Sequence, residues 1–273
     1  MASGLLLYKR SAVSYSILGS GPSPILCFHG FGESASLYSF LADNEANSFT
    51  FICIDLPFHG KTEWREPLCT EDDLLAIIDH LFSLTELQPL RGKPLFLMGY
   101  SLGARVALSL YEARPDAFCR LILLAPDGLR VNPWYWLATQ TLVGNRLFNF
   151  TMDSPGWFFG LINLLQKCGL ANESVARFVK SYIGGKAARR VLYDRWISLR
   201  KLRPSLSRIK RHIRTNKTQV RLLYGKFDRI ILPKRGRQFC DGIEEYSSIT
   251  ILDGGHSIVQ PKFIGEIRKA MLQ

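Results

Sequence analysis

Residues 94–111 read PLFLMGYSLGARVALSLY, and the fold turns on how this stretch is divided. Pro94–Tyr100 is an apolar run of strand length. Leu102–Tyr111 has a helical pattern and stops before Pro115. Between them stands Ser101, with glycines at 99 and 103. A strand entering a helix through Gly99-Tyr100-Ser101-Leu102-Gly103 predicts a nucleophile elbow, a sharp turn that lifts the serine hydroxyl clear of the backbone. Gly99 and Gly103 are expected because side chains there would crowd a closely approaching main chain. The plainer alternative is a glycine-flanked serine at an ordinary helix start.

Outward from this stretch, short strands alternate with helices. On the amino-terminal side, strands are expected at Leu5–Tyr8, Val13–Leu18, Ile25–Phe28 and Phe49–Ile54. Helices are expected over Ser34–Ala46 and from Thr70 to Leu87, the latter with Thr70 as N-cap and Asp73 three residues on. On the carboxyl side, strands are expected at Arg120–Ala125, Val220–Tyr224 and Ser247–Leu252, with helices from Pro233 and from Pro261. This rhythm predicts an α/β chain with a mostly parallel sheet covered on both faces and functional loops beyond the carboxyl ends of the strands.

Between Asn132 and Asn216 the rhythm breaks. WYWLATQTLVGNRLFNF, PGWFFGLINLLQKCGL and SVARFVKSYI read as helices, though FFGLI alone would also pass as a strand. Residues 130–217 hold 17 basic and 3 acidic side chains (Asp153, Glu173, Asp194), a net of +14 in a chain whose net charge is +12. Four of the five tryptophans, Trp134, Trp136, Trp157 and Trp196, lie there too. The expected organisation is therefore a core from 1–130 and 218–273, with a helical cap inserted at 131–217. Its charge suits an anionic substrate or an anionic membrane surface, or is a plain solvated face. Nucleic acid is disfavoured, because no zinc-finger spacing or RNP-like aromatic motif accompanies the charge.

The chain has 273 residues, 47% hydrophobic, enough for a large core. Six cysteines without a CxxC pair argue against a disulfide scaffold or a zinc site, and Cys27 and Cys53 sit in apolar strands as buried thiols. With neither a signal peptide pattern nor a membrane-length apolar run, the expected location is cytoplasmic, or membrane-peripheral through the basic cap.

Two later turns complete the chemistry. His256 follows a strand in Asp253-Gly254-Gly255-His256, and Asp228 follows another in Tyr224-Gly225-Lys226-Phe227-Asp228. A neutral His256 can take the Ser101 proton, and Asp228 can set its tautomer. Asp127, after the preceding strand, is the reserve acid. His29-Gly30-Phe31-Gly32 follows the strand Ile25–Phe28. The N–H groups of Phe31 and Leu102 are candidates for an oxyanion hole, with Gly30 and Gly32 giving the loop its freedom. His29 is expected to buttress that loop rather than act as a base.

As a set, HGFG (29–32), DLPFHG (55–60), GYSLGA (99–104), YGKFD (224–228) and GGH (254–256) resemble the α/β-hydrolase superfamily in its serine-nucleophile branch. The resemblance spans nearly the whole chain. It implies an eight-stranded, mostly parallel sheet, a Ser101–His256–Asp228 triad, a cap at the position of the basic segment, and no cofactor or metal. In that pattern Asp55 and His59 belong to a structural loop near the site. A serine at the elbow argues against haloalkane dehalogenase and epoxide hydrolase chemistry, which use aspartate. Tyr100 stands where ring-cleavage C–C hydrolases often carry Asn. The elbow is also somewhat similar to that of the menaquinone-pathway lyase MenH, in which an arginine matching Arg105 is common and would contact an anionic substrate. Ala104 departs from that enzyme's usual glycine. The expected activity is hydrolysis of a carboxylic ester or thioester through an acyl-enzyme, on a substrate with an apolar body and an anionic group. The alternatives are a MenH-like lyase or C–C hydrolase, and a non-catalytic binding protein on a hydrolase scaffold.

Overall fold

The computed structural model describes residues 2–45, 48–167 and 185–272. Eight strands form one sheet: β1 Ala2–Tyr8, β2 Ser11–Leu18, β3 Ser23–Phe28, β4 Phe49–Ile54, β5 Leu95–Tyr100, β6 Phe118–Leu124, β7 Gln219–Gly225 and β8 Ser247–Leu252. Their order is β1-β2-β4-β3-β5-β6-β7-β8. β2 pairs antiparallel with both neighbours, and every other pairing is parallel. This is the α/β-hydrolase fold, with helices flanking a largely parallel sheet and a helical region inserted between β6 and β7.

Burial follows strand position. β4, FTFICI, is buried at every residue, as a central strand covered on both faces must be. β1 lies at the sheet edge and leaves Leu5 and Leu7 exposed. The thiols of Cys27 and Cys53 are buried in adjacent strands, and burial pushes the Cys27 thiol well up.

Three helices matter for the site's frame: α1 Ser39–Glu45, α2 Glu71–Leu81 and α3 Leu102–Ala113. The segment expected to form one helix from Ser34 is divided, with a 3-10 turn at Ala35–Tyr38 before α1. α2 begins where the sequence places it. Thr70 accepts from the Asp73 N–H, and the Asp73 carboxylate accepts from the Thr70 N–H, a complete capping box. It ends at Leu81, six residues before the expected Leu87. The Ser83 hydroxyl donates to the His80 carbonyl at 2.6 Å, and turn-type bonds carry the chain on to Leu87. A serine competing for a helix carbonyl favours this ending.

Burial alone would raise the pKa of Asp73, but bonds from Lys9, the Thr70 amide, Tyr8 and the Thr70 hydroxyl hold it at about 2. A depressed carboxyl contributes stability above its unfolded pKa near 3.9 and loses it as pH falls through the folded value. Asp73→Asn is therefore expected to lower Tm by roughly 2–4 °C at pH 7, the effect of losing about 1 kcal/mol of cap. The gap from wild type should narrow between pH 4 and 2 in a thermal melt series.

The chain divides into two compact units, 1–130 with 201–273, and Val131–Arg200. The second boundary lies well before residue 217. The helix Leu206–Asn216, expected in the cap, belongs to the sheet unit, burying Ile209 and Ile213. Glu112 near the end of α3 accepts from the Ser205 N–H at 2.7 Å and pairs with Arg208 at 2.6 Å. Of the basic residues in 130–217, nine lie in 131–200, and seven lie in 201–217, where there is no acid. Much of the charge assigned to the cap by composition thus sits on the sheet unit, because composition cannot tell which core a basic amphipathic helix joins.

In the second unit the described helices are Pro133–Gln140, Leu142–Asp153, Gly156–Lys167 and Lys186–Ser198. FFGLI is helical. SVARFVKSYI lies outside the described residues. Asn132 caps the first helix through the Trp134 and Tyr135 amides, with Pro133 at its first position. Trp196 packs against Tyr135 and Phe148, each with centroids 5.2 Å apart, and accepts the Tyr135 hydroxyl at its carbonyl. Trp134, by contrast, is exposed. No described helix is long and apolar enough to cross a membrane.

Candidate active site

β5 ends at Tyr100 and α3 begins at Leu102, so Ser101 alone makes the turn. Its φ is +49° and ψ −113°, a conformation that costs a non-glycine residue about 1–3 kcal/mol. Three bonds hold it there. The Ser101 N–H donates to the Leu124 carbonyl at 2.9 Å, and the Ser101 carbonyl accepts from Ala104 at 3.0 Å and Asp127 at 3.1 Å. The end of β6 thus clamps the elbow.

Gly103 is required by close approach. A Cβ there would stand 1.8 Å from the Phe28 carbonyl oxygen and 2.7 Å from that of His29. One at Gly99 would stand 2.4 Å from the Gly103 carbonyl oxygen. Both obstacles are backbone, so neither can swing away. Gly103→Ala is expected to cost about 3 kcal/mol, the upper part of the overpacking range, read as a lowered urea midpoint.

His256 and Asp228 come from the turns after β8 and β7. His256 Nε2 is 3.1 Å from Ser101 Oγ, and its Nδ1 is 2.7 Å from Asp228 Oδ2. A carboxylate only accepts, so Nδ1 carries the proton and Nε2 is left to accept from the serine hydroxyl. The other Asp228 oxygen, Oδ1, accepts from the Ile230 N–H at 2.8 Å and the Ile231 N–H at 2.9 Å. Asp228 is buried. The arrangement gives the serine a base of fixed tautomer and the base a fixed counter-charge.

Asp127 is turned elsewhere. Its Oδ1 accepts from the Gly128 N–H at 2.7 Å, and its Oδ2 lies 3.5 Å from Arg105 Nε. The structure therefore brings Asp228 to the imidazole and places Arg105 beside Asp127, tying α3 to the turn after β6.

The loop 29–32 runs beside the serine. A Cβ on Gly30 would meet Ser101 Cβ at 3.6 Å and the Tyr100 ring at 2.8 Å. Gly32 has φ +81°, a conformation glycine adopts freely. His29 is buried. Its Nε2 accepts from the Leu56 N–H at 3.0 Å, which fixes a neutral ring donating from Nδ1 to the Gly30 carbonyl at 2.8 Å. Phe31 packs edge-on to His59, centroids 5.7 Å apart. Asp55 in turn accepts from Ala35 at 2.6 Å and Lys61 at 3.1 Å. A buttress of buried side chains thus sets this loop from below. Leu102 opens α3, where helix geometry leaves its amide without an intrahelical partner.

One contact at the site was not anticipated from sequence. The Tyr100 hydroxyl donates to the His256 carbonyl at 3.3 Å, and its ring lies against the imidazole with centroids 5.4 Å apart. Only its place next to the serine hinted at this. Among the described residues, no group of three or more His, Cys, Asp or Glu could hold a metal ion. A cleft of about 910 Å³ lined by Arg91–Leu95 and Pro115–Cys119 lies at the amino ends of β5 and β6, away from Ser101.

A family model described as the alpha/beta hydrolase fold matches residues 23–261. The chain belongs to the α/β-hydrolase family. Among curated members it is similar to lipase LipV of Mycobacterium tuberculosis, 32% identical over 116 residues that cover 41% of this chain and 42% of the relative. Monoacylglycerol lipase ABHD6 of Mus musculus is 31% identical over 114 residues, 41% of this chain and 32% of that one. The chain thus spans less than half the length of these two curated relatives. Among solved α/β-hydrolases, a thermophilic esterase from Thermogutta terrifontis superposes with a TM-score of 0.66 at 18% identity, covering 99% of this chain and 98% of the other.

Proposed function

We propose that this α/β-hydrolase is a serine hydrolase of the carboxylesterase or thioesterase type, acting through an acyl-enzyme. The observation that carries the reading is the hydrogen-bonded line from Ser101 Oγ through His256 to buried Asp228. In this reading Ser101 Oγ attacks the acyl carbonyl while His256 Nε2 takes its proton. The carbonyl π electrons move to oxygen, and the Phe31 and Leu102 amides receive that oxyanion. As the tetrahedral adduct collapses, the bond to the leaving oxygen or sulfur breaks and His256 returns the proton to it. Water, deprotonated by the same nitrogen, attacks the acyl-enzyme. The second adduct collapses to a carboxylic acid and free Ser101. Gly30 and Gly32 allow the oxyanion loop its path, Gly99 and Gly103 the elbow, and His29 is a support. The names of the lipase and esterase relatives agree with this class.

No specific observation favours a MenH-like lyase, since Arg105 is engaged with Asp127. Taken by itself, the helical unit exposes the large apolar side chains of Trp134, Leu142 and Phe150. An anionic substrate group, or an anionic membrane met through that unit, has less charge to draw on than composition suggested. Its 131–200 segment has nine basic and three acidic residues. If charge steers substrate, kcat/KM for an anionic ester should exceed that for a neutral ester of equal acyl length, and the advantage should fade between low and 0.5 M salt, roughly a fall in screening length below 5 Å. Equal rates at all salt concentrations would confine recognition to apolar contact.

The class itself is tested with a fluorophosphonate probe. The folded wild-type chain is expected to gain one adduct on Ser101, and Ser101→Ala none. An unlabelled wild-type chain beside a labelled control hydrolase would turn the reading toward a binding protein.

A further inference from the structure

We propose that the loop between β7 and the helix Pro233–Cys240 is an interfacial anchor that seats the sheet unit on an anionic lipid bilayer. The loop reads KFDRIILPKR over residues 226–235. Phe227, Ile230 and Leu232 are 61%, 69% and 51% exposed. Three large apolar side chains within six residues therefore stand in water. The loop is not slack: Asp228, between them, is buried and bonded to the Ile230 and Ile231 amides and to His256. The Phe227 N–H also donates to the Gly254 carbonyl at 2.9 Å. The apolar tips are held out rather than left loose.

Cations surround them. Lys226, Arg229, Lys234 and Arg237 are exposed, and Arg235 is half-buried. Asp228 is the only acid between residues 226 and 237, and its charge is committed to His256. The neighbouring turn contributes one exposed acid, Asp253. Lys226 Nζ lies 5.4 Å from the centre of the Phe227 ring. On the helix Leu206–Asn216, Lys210 reaches the carbonyls of Gln238 and Asp241 and Arg214 that of Gly242, beside the exposed acids Asp241, Glu244 and Glu245, so the cationic patch stops at the loop and the start of the helix Pro233–Cys240.

Isolated apolar tips ringed by cations match a partner that is anionic at its surface and apolar beneath. A bilayer containing anionic lipid is such a partner: headgroup phosphates face the lysines and arginines, and the tips reach the acyl boundary. An acidic protein would satisfy the charge and leave projecting aliphatic tips without a matching surface. Anchoring here would bring the rim that carries Asp228 to a source of lipidic esters. That consequence rests on the hydrolase reading; the binding does not.

Binding is therefore measured on the whole 273-residue chain carrying Ser101→Ala, by co-sedimentation with vesicles of phosphatidylcholine alone or mixed with phosphatidylglycerol. The expected result is at least roughly tenfold tighter binding to the anionic vesicles, weakening as salt rises. Lys226→Gln with Arg229→Gln and Lys234→Gln should weaken it roughly a hundredfold, about fivefold per cation. Leu232→Ser, which puts a favoured N-cap residue before Pro233, should weaken it several-fold, with folding checked by circular dichroism. Trp134→Ser, on the helical unit, should leave it unchanged. Failure of the folded protein to bind anionic vesicles would overturn the proposal. So would loss of binding in Trp134→Ser with retention in the loop variants. Equal affinity for soluble polyglutamate, insensitive to Leu232→Ser, would overturn the lipid assignment in favour of a charge-only partner. Fluorophosphonate labelling of wild type reports on the hydrolase reading separately.

Discussion

Ser101→Ala is expected to melt within a degree or two of wild type and to lose ester turnover by about 10⁶-fold, the scale on which a serine nucleophile's removal is felt in other enzymes. Both halves follow from the elbow. Alanine has the same backbone needs as serine, so φ +49° is no worse tolerated, and the clamps on the Ser101 N–H and carbonyl use main chain only. What vanishes is the one oxygen facing His256 Nε2. Ser101→Gly is a useful companion. Glycine meets no penalty at positive φ, so this variant should be equally inactive yet more stable by about 1 kcal/mol. Urea midpoints and p-nitrophenyl ester rates measured side by side check both. A folded Ser101→Ala protein with wild-type turnover would remove Ser101 from the mechanism.

Asp228→Asn should lower kcat by about 10⁴-fold, while Asp127→Asn should stay within about threefold of wild type. The local bonding explains why asparagine cannot escape by rotating its amide. Oδ1 accepts two amide N–H groups, from Ile230 and Ile231, so the asparagine carbonyl oxygen must take that place. Its NH2 then faces His256 Nδ1 and donates to it. The ring proton moves to Nε2, and the nitrogen that should accept from Ser101 becomes a donor. Asp127, in contrast, touches Gly128 and Arg105, so its amide variant disturbs only the tie between α3 and the β6 turn. A large loss in Asp127→Asn alone would reverse the roles of the two acids.

The sheet was readable in sequence because its strands are short apolar runs of β-branched and aromatic residues bounded by turns. Their limits moved by at most three residues, and those of Phe49–Ile54 and Ser247–Leu252 not at all. Thr70 and Asp73 announced the start of α2, whose polar signals are local. Its end was not legible, since Ser83 ends the helix through one side-chain bond inside a stretch whose apolar pattern continues to Leu87. The candidate site was legible for the same reason as the elbow: each of Ser101, Asp228 and His256 follows a strand, and parallel strands bring their carboxyl ends to one rim. Tyr100 was not, because its partner is a carbonyl 156 residues away. The helix Leu206–Asn216 fell inside the segment 131–217 that charge and composition set apart as a cap, whereas two buried isoleucines and Glu112 tie it to the sheet unit.

The pairing of β6 with β7 also sets a schedule. Arg120 is in register with Gln219, so the inner edge of β6 has no partner until almost a hundred further residues have left the ribosome. At the usual pace of synthesis that is roughly 5–20 seconds. During that interval FCRLILL, apolar and rich in strand-forming residues, is an open template for other nascent chains. Chains released before residue 219 would carry Ser101 on an unfinished sheet, with neither its histidine nor its acid. Cellular yield of this protein should therefore depend on chaperone supply during translation more than on the stability of the finished molecule.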